Sequence, residues 1–277
     1  MDALLLNASL PESREDICPA IKLHDLKVQF ETATADAVLA LDGVSLDVSP
    51  GEFVSIVGPS GCGKTTILNL LAGIASARRS GAITVFGKDP VAGNPDIAYM
   101  LARDSLLPWR TTLSNAAYGM ELRNIARKER EERAIDLLRR VGLGEFVHRY
   151  PKALSHGMRQ RCALARTFAL ESRILLMDEP FGALDVQTKL QLEDLLLELW
   201  SGEQRTVLFV THDLAEAVAL SDRVIVLSPR PGRIVAEVVI DLPRLRSVRA
   251  LQAHSYFHEL CARLWGLLEQ EAKSYVD

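Results

Sequence analysis

Gly58-Pro59-Ser60-Gly61-Cys62-Gly63-Lys64-Thr65 lies between the apolar run Phe53-Val54-Ser55-Ile56-Val57 and a helical pattern over about residues 64–71, and its reading decides the fold. The stretch satisfies the phosphate-binding (P-loop) pattern G-x-x-x-x-G-K-[ST], in the strand-loop-helix context that the pattern requires. Glycines let the backbone fold tightly, so that successive N–H groups and the helix N-terminus point at phosphate oxygens. The run from Gly58 to Lys64, with Thr65 and Thr66 behind it, is therefore the expected nucleotide cradle. Lys64 is placed to bridge the β- and γ-phosphates of ATP, and the Thr65 hydroxyl to ligate Mg²⁺.

Outward from this unit, the apolar pattern describes a sheet. Over residues 21–57, alternating apolar runs are broken by turn chemistry at Leu41-Asp42-Gly43 and Ser49-Pro50-Gly51. That texture predicts an antiparallel β-layer feeding the strand at 53–57. A further strand, Ala82-Ile83-Thr84-Val85-Phe86, closes on Gly87. Ile174-Leu175-Leu176-Met177 and Val207-Leu208-Phe209-Val210 are apolar throughout and flank an amphipathic helix over about 186–200. Strands apolar on both faces and alternating with helices predict a parallel sheet covered on each side. Val224-Ile225-Val226-Leu227 and the run from Ile234 to Ile240 predict a β-hairpin. From about 96 to 166 the periodicity is helical and charged, as in Arg127-Lys128-Glu129-Arg130-Glu131-Glu132-Arg133, which predicts an inserted helical subdomain with a solvated, ion-paired face. Residues 1 to about 20 read as an N-terminal tail, 21–240 as one α/β domain and 241–277 as a C-terminal helical extension.

Composition narrows the function classes. The 277 residues can bury a substantial core, and a net charge of −4 with Lys and Arg scattered among Asp and Glu gives no footprint for nucleic acid. The four cysteines, Cys18, Cys62, Cys162 and Cys261, form no CxxC pair, which fits a reducing compartment. No window approaches the ~18 uninterrupted apolar residues of a membrane span. Leu4 to Leu6 is too short for a signal-peptide core and lacks a basic flank. A membrane, if one matters, is met through a partner.

Three further segments carry chemistry. Asp178 and Glu179 follow the strand at 174–177, at the carboxyl edge where open parallel sheets bind ligands. Asp178 is expected to hold Mg²⁺ through water, and Glu179 to act as the general base that polarises the attacking water. His212, in Val210-Thr211-His212-Asp213, ends another buried strand. Alone, a strand-end histidine is usually a satisfied structural residue. On this edge it is placed to donate to the γ-phosphate oxygen where charge develops. Finally, Leu154-Ser155-His156-Gly157-Met158-Arg159-Gln160-Arg161 opens a helix. Ser155 is a natural N-cap and Gly157 bares backbone N–H groups at the dipole-positive end, a ready anion site, although taken alone the segment is a plain capped helix.

In order along the chain these motifs resemble the nucleotide-binding subunits of ATP-binding cassette (ABC) transporters, over nearly all of residues 21–240. The resemblance rests on the P-loop, the signature segment Leu154-Ser155-His156-Gly157-Met158, the strand ending in Asp178-Glu179, the Gly182-Ala183-Leu184-Asp185 loop and His212. Leu106-Leu107-Pro108-Trp109-Arg110, the 154–161 wording and Pro229-Arg230-Pro231-Gly232-Arg233-Ile234 are similar to the nitrate, sulfonate and taurine group of importers. The resemblance implies a P-loop NTPase fold of the α/β class: a mainly parallel core sheet, an antiparallel β-subdomain and an inserted helical subdomain. It implies an ATP hydrolase, with ATP and Mg²⁺ bound. The implied assembly is a head-to-tail homodimer, or a heterodimer with a related cassette subunit. There Ser155 and Gly157 of one copy cover the ATP of the other, and Asp185 counts among the nucleotide-contacting residues. Two membrane-spanning permease subunits and, indirectly, a solute-binding protein are the implied partners, with the chain peripheral on the cytoplasmic face of the inner membrane. Phe30 is the candidate aromatic for stacking on adenine. A soluble non-transport ABC ATPase and a nucleotide-binding regulator with weak turnover are the alternatives.

Two departures from the family pattern stand out. His156 replaces the usual glycine and Met158 the usual glutamine of the signature, while Ser155 and Gly157 are kept. In Tyr99-Met100-Leu101-Ala102-Arg103-Asp104, Ala102 stands where the family has a glutamine that approaches Mg²⁺ and the attacking water. Alanine offers no hydrogen bond, so that task is either dropped or shared with a neighbour such as Asp104.

Overall fold

The computed structural model describes residues 18–31, 37–244 and 246–274, so the tail expected at 1–20 lies almost wholly outside the described residues. In order, the elements are β1 (Ile21–Glu31), β2 (Ala37–Val48), β3 (Phe53–Val57), α1 (Lys64–Leu71), β4 (Arg78–Val85) and β5 (Ile97–Met100). Next come α2 (Thr112–Ala116), α3 (Tyr118–Leu122), α4 (Arg127–Arg140), α5 (His156–Phe168), β6 (Ile174–Asp178), α6 (Val186–Ser201) and β7 (Thr206–Val210). The chain continues with α7 (Leu214–Leu220), β8 (Arg223–Leu227), β9 (Ile234–Val239), α8 (Val248–Leu251) and α9 (Ser255–Ser274).

The strands form a three-stranded antiparallel sheet, β2-β1-β4, and a six-stranded sheet, β5-β6-β7-β3-β8-β9. In the larger sheet all neighbours run parallel except β8 and β9, which form the hairpin. Successive strand side chains point to opposite faces, and here both faces are covered. Phe53, Leu175, Met177, Val207 and Phe209 face one core, with α5, α6 and α7. Val54, Ile56, Ile174, Leu176, Leu208 and Val210 face the other, with α1 and the antiparallel sheet. Two buried faces explain why these strands read as uninterrupted apolar runs. Phe53 knits the first core together, its ring 5.7 Å from Trp200 of α6 and 5.9 Å from Phe209 of β7.

The expectation of helical structure from about 96 is corrected at its start. Ile97–Met100 is strand β5, paired in parallel with β6 from Ile97↔Ile174 to Met100↔Met177. Ala98 and Met100 enter one core while Ile97 and Tyr99 pack on the other. Four residues alternating between two apolar environments leave no polar face to reveal the period. The helices proper begin at Thr112, where Thr111 caps α2 by accepting from the Ser114 amide. On α4, Ala134, Leu137 and Leu138 are buried, while the outer face carries Arg127–Glu131 at 2.8 Å and Arg133–Glu129 at 3.0 Å. At the C-terminus α9 lays Phe257, Leu260 and Leu264 into the first core and packs on α7. No helix of the described residues is long and apolar enough to cross a membrane.

Candidate nucleotide-binding site

The loop 58–63 leaves the carboxyl end of β3 and enters α1 through Gly63, which has φ +104° and caps the helix without a side chain. A Cβ there would lie 2.5 Å from Leu41 Cδ2 and 3.3 Å from the Ala40 carbonyl oxygen, so the turn requires glycine. With no capping side chain, the amides of Lys64, Thr65 and Thr66 open the helix toward the cleft. Lys64 is buried, and its ammonium donates to the carbonyls of Gly58 at 2.8 Å and Pro59 at 3.0 Å, which centres it under the loop. Burial pushes the Cys62 thiol up in spite of neighbouring Lys64, so this cysteine packs and is no nucleophile.

Two strands away, Asp178 ends β6 beneath the loop. The Thr65 hydroxyl donates to Asp178 Oδ1 at 3.0 Å. Burial pushes the Asp178 carboxyl up, the Thr65 hydrogen bond draws it down, and the adjacent Glu179 charge adds to the rise. Such a carboxylate gains from a nearby cation. Glu179 sits at φ +44° with its amide donating to Val210 O at 2.9 Å, which turns the side chain out over the sheet edge. There Glu179 Oε2 lies 3.0 Å from His212 Nδ1. A carboxylate only accepts, so this contact places a proton on Nδ1. Gly182 packs beside both residues: a Cβ there would lie 3.5 Å from His212 Cε1 and 3.8 Å from Glu179 Oε2.

A cleft of about 260 Å³ opens over the loop, lined by Phe30, Val38 and Ala40 together with Ser60, Gly61, Gly63, Lys64, Thr65, Thr66 and Glu179. Phe30 therefore stands at the cleft, half-buried against the second core. Arg230 lines the same cleft, its Nε donating to Gly61 O at 3.3 Å. The motif reading assigned Arg230 no role. Its signal lay in topology, because β8 is the parallel neighbour of β3 and delivers the β8–β9 turn to the same edge.

The donor set fits a magnesium–triphosphate. Among the described residues no group of three His, Cys, Asp or Glu side chains could hold a metal by itself. Mg²⁺ characteristically takes one or two protein oxygens and completes its shell with phosphate and water, and Thr65 with Asp178 supplies that share.

Ser155, Gly157 and Asp185 occupy a different cleft, of about 510 Å³, together with Arg161 and Thr188. Ser155 caps α5, its Oγ accepting from the Met158 amide at 3.3 Å. Asp185 caps α6, its Oδ1 accepting from the Thr188 amide at 3.0 Å. A Cβ on Gly157 would come within 2.7 Å of Thr188 Cγ2, so glycine lets the two helix starts meet. The fold thus brings Asp185 to Ser155 and Gly157, and none of the three lines the P-loop cleft of its own chain.

Ala102 is exposed on the loop after β5. Asp104, the neighbour expected to share the glutamine's task, is engaged by contacts of its own. Asp104 Oδ2 accepts from Arg159 Nε at 2.9 Å, and its Oδ1 from the Leu106 amide at 3.2 Å. Arg166 donates to the carbonyls of Asp104 at 2.7 Å and Ser105 at 2.9 Å. The carboxylate belongs to α5, so this loop is tied to the signature helix instead.

A profile described as "ABC transporter" matches residues 41–182. The chain is 45% identical over 228 residues to a putative ATP-binding protein of Brucella abortus, covering 82% of this chain and 86% of that protein. It is 43% identical over 245 residues to an uncharacterized ABC transporter ATP-binding protein of Methanocaldococcus jannaschii, covering 88% and 91%. It is 41% identical over 252 residues to the taurine import ATP-binding protein TauB of Rhizobium johnstonii, covering 90% and 96%. Among solved structures, the ATP-binding cassette MJ0796, described as a dimer in a post-hydrolysis state bound to ADP and Pi, superposes with a TM-score of 0.70 at 29% identity, covering 80% of this chain and all of that one. With a P-loop, a strand-end Asp178-Glu179, His212 and a capped Ser155 helix in one α/β frame, the chain belongs to the ABC transporter family as an ATP-binding subunit.

Proposed function

We propose that the chain hydrolyses ATP as a head-to-tail dimer and thereby drives import of a small solute through partner membrane subunits. One observation carries the dimer: Lys64, Thr65 and Glu179 line one cleft, with Asp178 and His212 hydrogen-bonded to them, while Ser155, Gly157 and Asp185 line a separate cleft. Each cleft is half a site. A second copy, turned about a two-fold axis, supplies what each lacks, the self-complementary arrangement expected of a C2 dimer.

Within the closed site the chain's own groups divide the work. The amides of 61–66 and the Lys64 ammonium hold the β- and γ-phosphates, and Phe30 stacks on the adenine. Ser155 Oγ and the α5 amides meet the γ-phosphate from the opposite copy. Thr65 and Asp178 would hold Mg²⁺, which would neutralise charge on the phosphate oxygens. Glu179 orients and deprotonates the attacking water, and His212, donating from Nδ1, holds the Glu179 carboxylate in register. Closure completes the constellation, so turnover is coupled to a large motion.

The import reading draws on likeness to taurine import proteins at 41% identity over 90% of the chain, and it names a small sulfonate, or an anion of similar size, as the solute class. Partner permease subunits are met by the helical subdomain, where Trp109 is 71% and Leu122 66% exposed.

The dimer is tested by sedimentation of Glu179→Gln with Mg-ATP. The reading expects a species of twice the monomer mass that is absent with ADP, and a monomer under both conditions contradicts it.

A further inference from the structure

Behind the catalytic edge lies a buried cluster of charges. Lys189, in the first turn of α6, places its ammonium 2.7 Å from Asp213 Oδ2, 3.6 Å from Glu216 Oε1 and 3.9 Å from Glu193 Oε1. Glu193 and Glu216 are buried, and Glu216 Oε1 has no hydrogen-bond partner. Lys189 is the cation that meets all three carboxylates. Burial alone would lower the Lys189 ammonium, but Glu216, Asp213 and Glu193 together more than offset it and raise it.

These contacts bracket His212. On one side Thr211 donates to Glu216 Oε2 and accepts from the Asp213 amide at 3.0 Å. On the other, Asp213 Oδ1 accepts from the amides of Ala215 at 2.9 Å and Glu216 at 3.2 Å, while its second oxygen holds Lys189. The His212 side chain is 60% exposed, and Glu179 is the one side chain it hydrogen-bonds among the described residues. Little packing fixes the imidazole, so its direction is set by the two residues beside it, and both answer to the cluster. Lys189 also lies one turn behind Asp185, its amide donating to Asp185 O at 2.9 Å.

We propose that Lys189 is a positioning residue for His212, joining the start of α6, and through it the Asp185 loop, to the loop that aims the imidazole at Glu179. Without its ammonium, buried Glu216 holds its proton more firmly and donates to Thr211, which reverses their present hydrogen bond and turns the Thr211 hydroxyl proton away, while Asp213 Oδ2 loses its cation. His212 then loses its anchor on both sides. Lysine suits the place because one compact ammonium reaches three carboxylates, and arginine can serve in its stead by keeping the charge.

The catalytic arm of the test rests on the hydrolysis reading above, and a spectroscopic arm does not. In the full chain, Lys189→Met lowers kcat about tenfold with KM for ATP changed less than about twofold, and Lys189→Arg restores kcat to within about threefold. On a His212→Ala background the same Lys189→Met change costs less than about twofold, because the residue it acts through is gone. An equal factor on both backgrounds overturns the proposal. In the nucleotide-free chain, the His212 Cε1 NMR signal, assigned by its loss in His212→Ala, moves or broadens in Lys189→Met and keeps its place in Lys189→Arg. An unmoved signal in folded Lys189→Met also overturns it. A wild-type chain without turnover in the dimer counts against hydrolysis, and the NMR arm still decides the role of Lys189.

Discussion

Glu179 and His212 meet at 3.0 Å between Oε2 and Nδ1, although they lie on different strand ends of the core sheet. The carboxylate read as the base and the histidine expected beside the γ-phosphate thus form one unit. Glu179→Gln keeps the shape and removes the base, so kcat falls by about 10²-fold or more while ATP binding persists. His212→Ala leaves the base unaligned and costs about 10-fold to 10²-fold. Single-turnover hydrolysis beside an ATP-binding titration checks both, and wild-type turnover in Glu179→Gln removes Glu179 from the role.

Metal dependence follows from the Thr65–Asp178 pair at 3.0 Å. Asp178→Asn removes the anionic oxygen beneath the loop and leaves Lys64 and the loop amides in place. Nucleotide affinity in EDTA then stays within about twofold of wild type, and the gain on adding Mg²⁺ drops about tenfold or more. Competition against a fluorescent nucleotide, with and without Mg²⁺, reads the difference.

The loop after β5 carries Ala102 and is tethered to α5 through Asp104. Because Arg166 still holds the carbonyls of Asp104 and Ser105 and Arg159 still holds Leu154 O, Asp104→Asn leaves basal kcat within about twofold. Ala102→Gln, by contrast, adds a hydrogen-bonding side chain to this loop and is expected to change turnover in an assembly reconstituted with membrane subunits. ATPase assays on the isolated chain and on the reconstituted assembly separate the two.

Stability carries a pH signature from the Lys189 cluster. Burial, then the neighbouring Glu216 charge, pushes Glu193 from 4.5 up to about 8, and burial pushes Glu216 up to about 7. A carboxyl whose folded value is raised keeps its proton longer folded than unfolded. Its contribution is complete below about 4.5 and is lost as pH climbs through the folded values, so stability declines between about pH 4.5 and 8. Each ~1 kcal/mol lost lowers Tm by about 2–4 °C in a chain of this size. Calorimetry across this range shows the decline, and Glu193→Gln flattens it.

The core strands were legible because both of their faces are buried: Val207 and Phe209 enter one core, Leu208 and Val210 the other. The P-loop, Asp178, Glu179 and His212 were legible because each sits at the carboxyl end of such a strand, where the chain must turn. Strand β5 was hidden by its length and by sharing its residues between two cores. Arg230 and the Asp104–Arg159 pair were hidden for another reason, since their roles come from sheet order and from a helix distant in the chain, which no local pattern encodes. The Lys189 cluster falls in the same class, joining α6 to α7 through side chains that read one at a time as ordinary helix-surface charges.

In the proposed dimer, the Ser155 helix start of one copy and the 58–65 loop of the other grip one triphosphate. The most direct measurement of that grip is the position of Ser155 Oγ in the structure of Glu179→Gln loaded with Mg-ATP. The account predicts this oxygen within about 3 Å of a γ-phosphate oxygen whose nucleotide sits on the other copy's loop. A Ser155 that faces solvent, or a γ-phosphate enclosed by one copy alone, contradicts it.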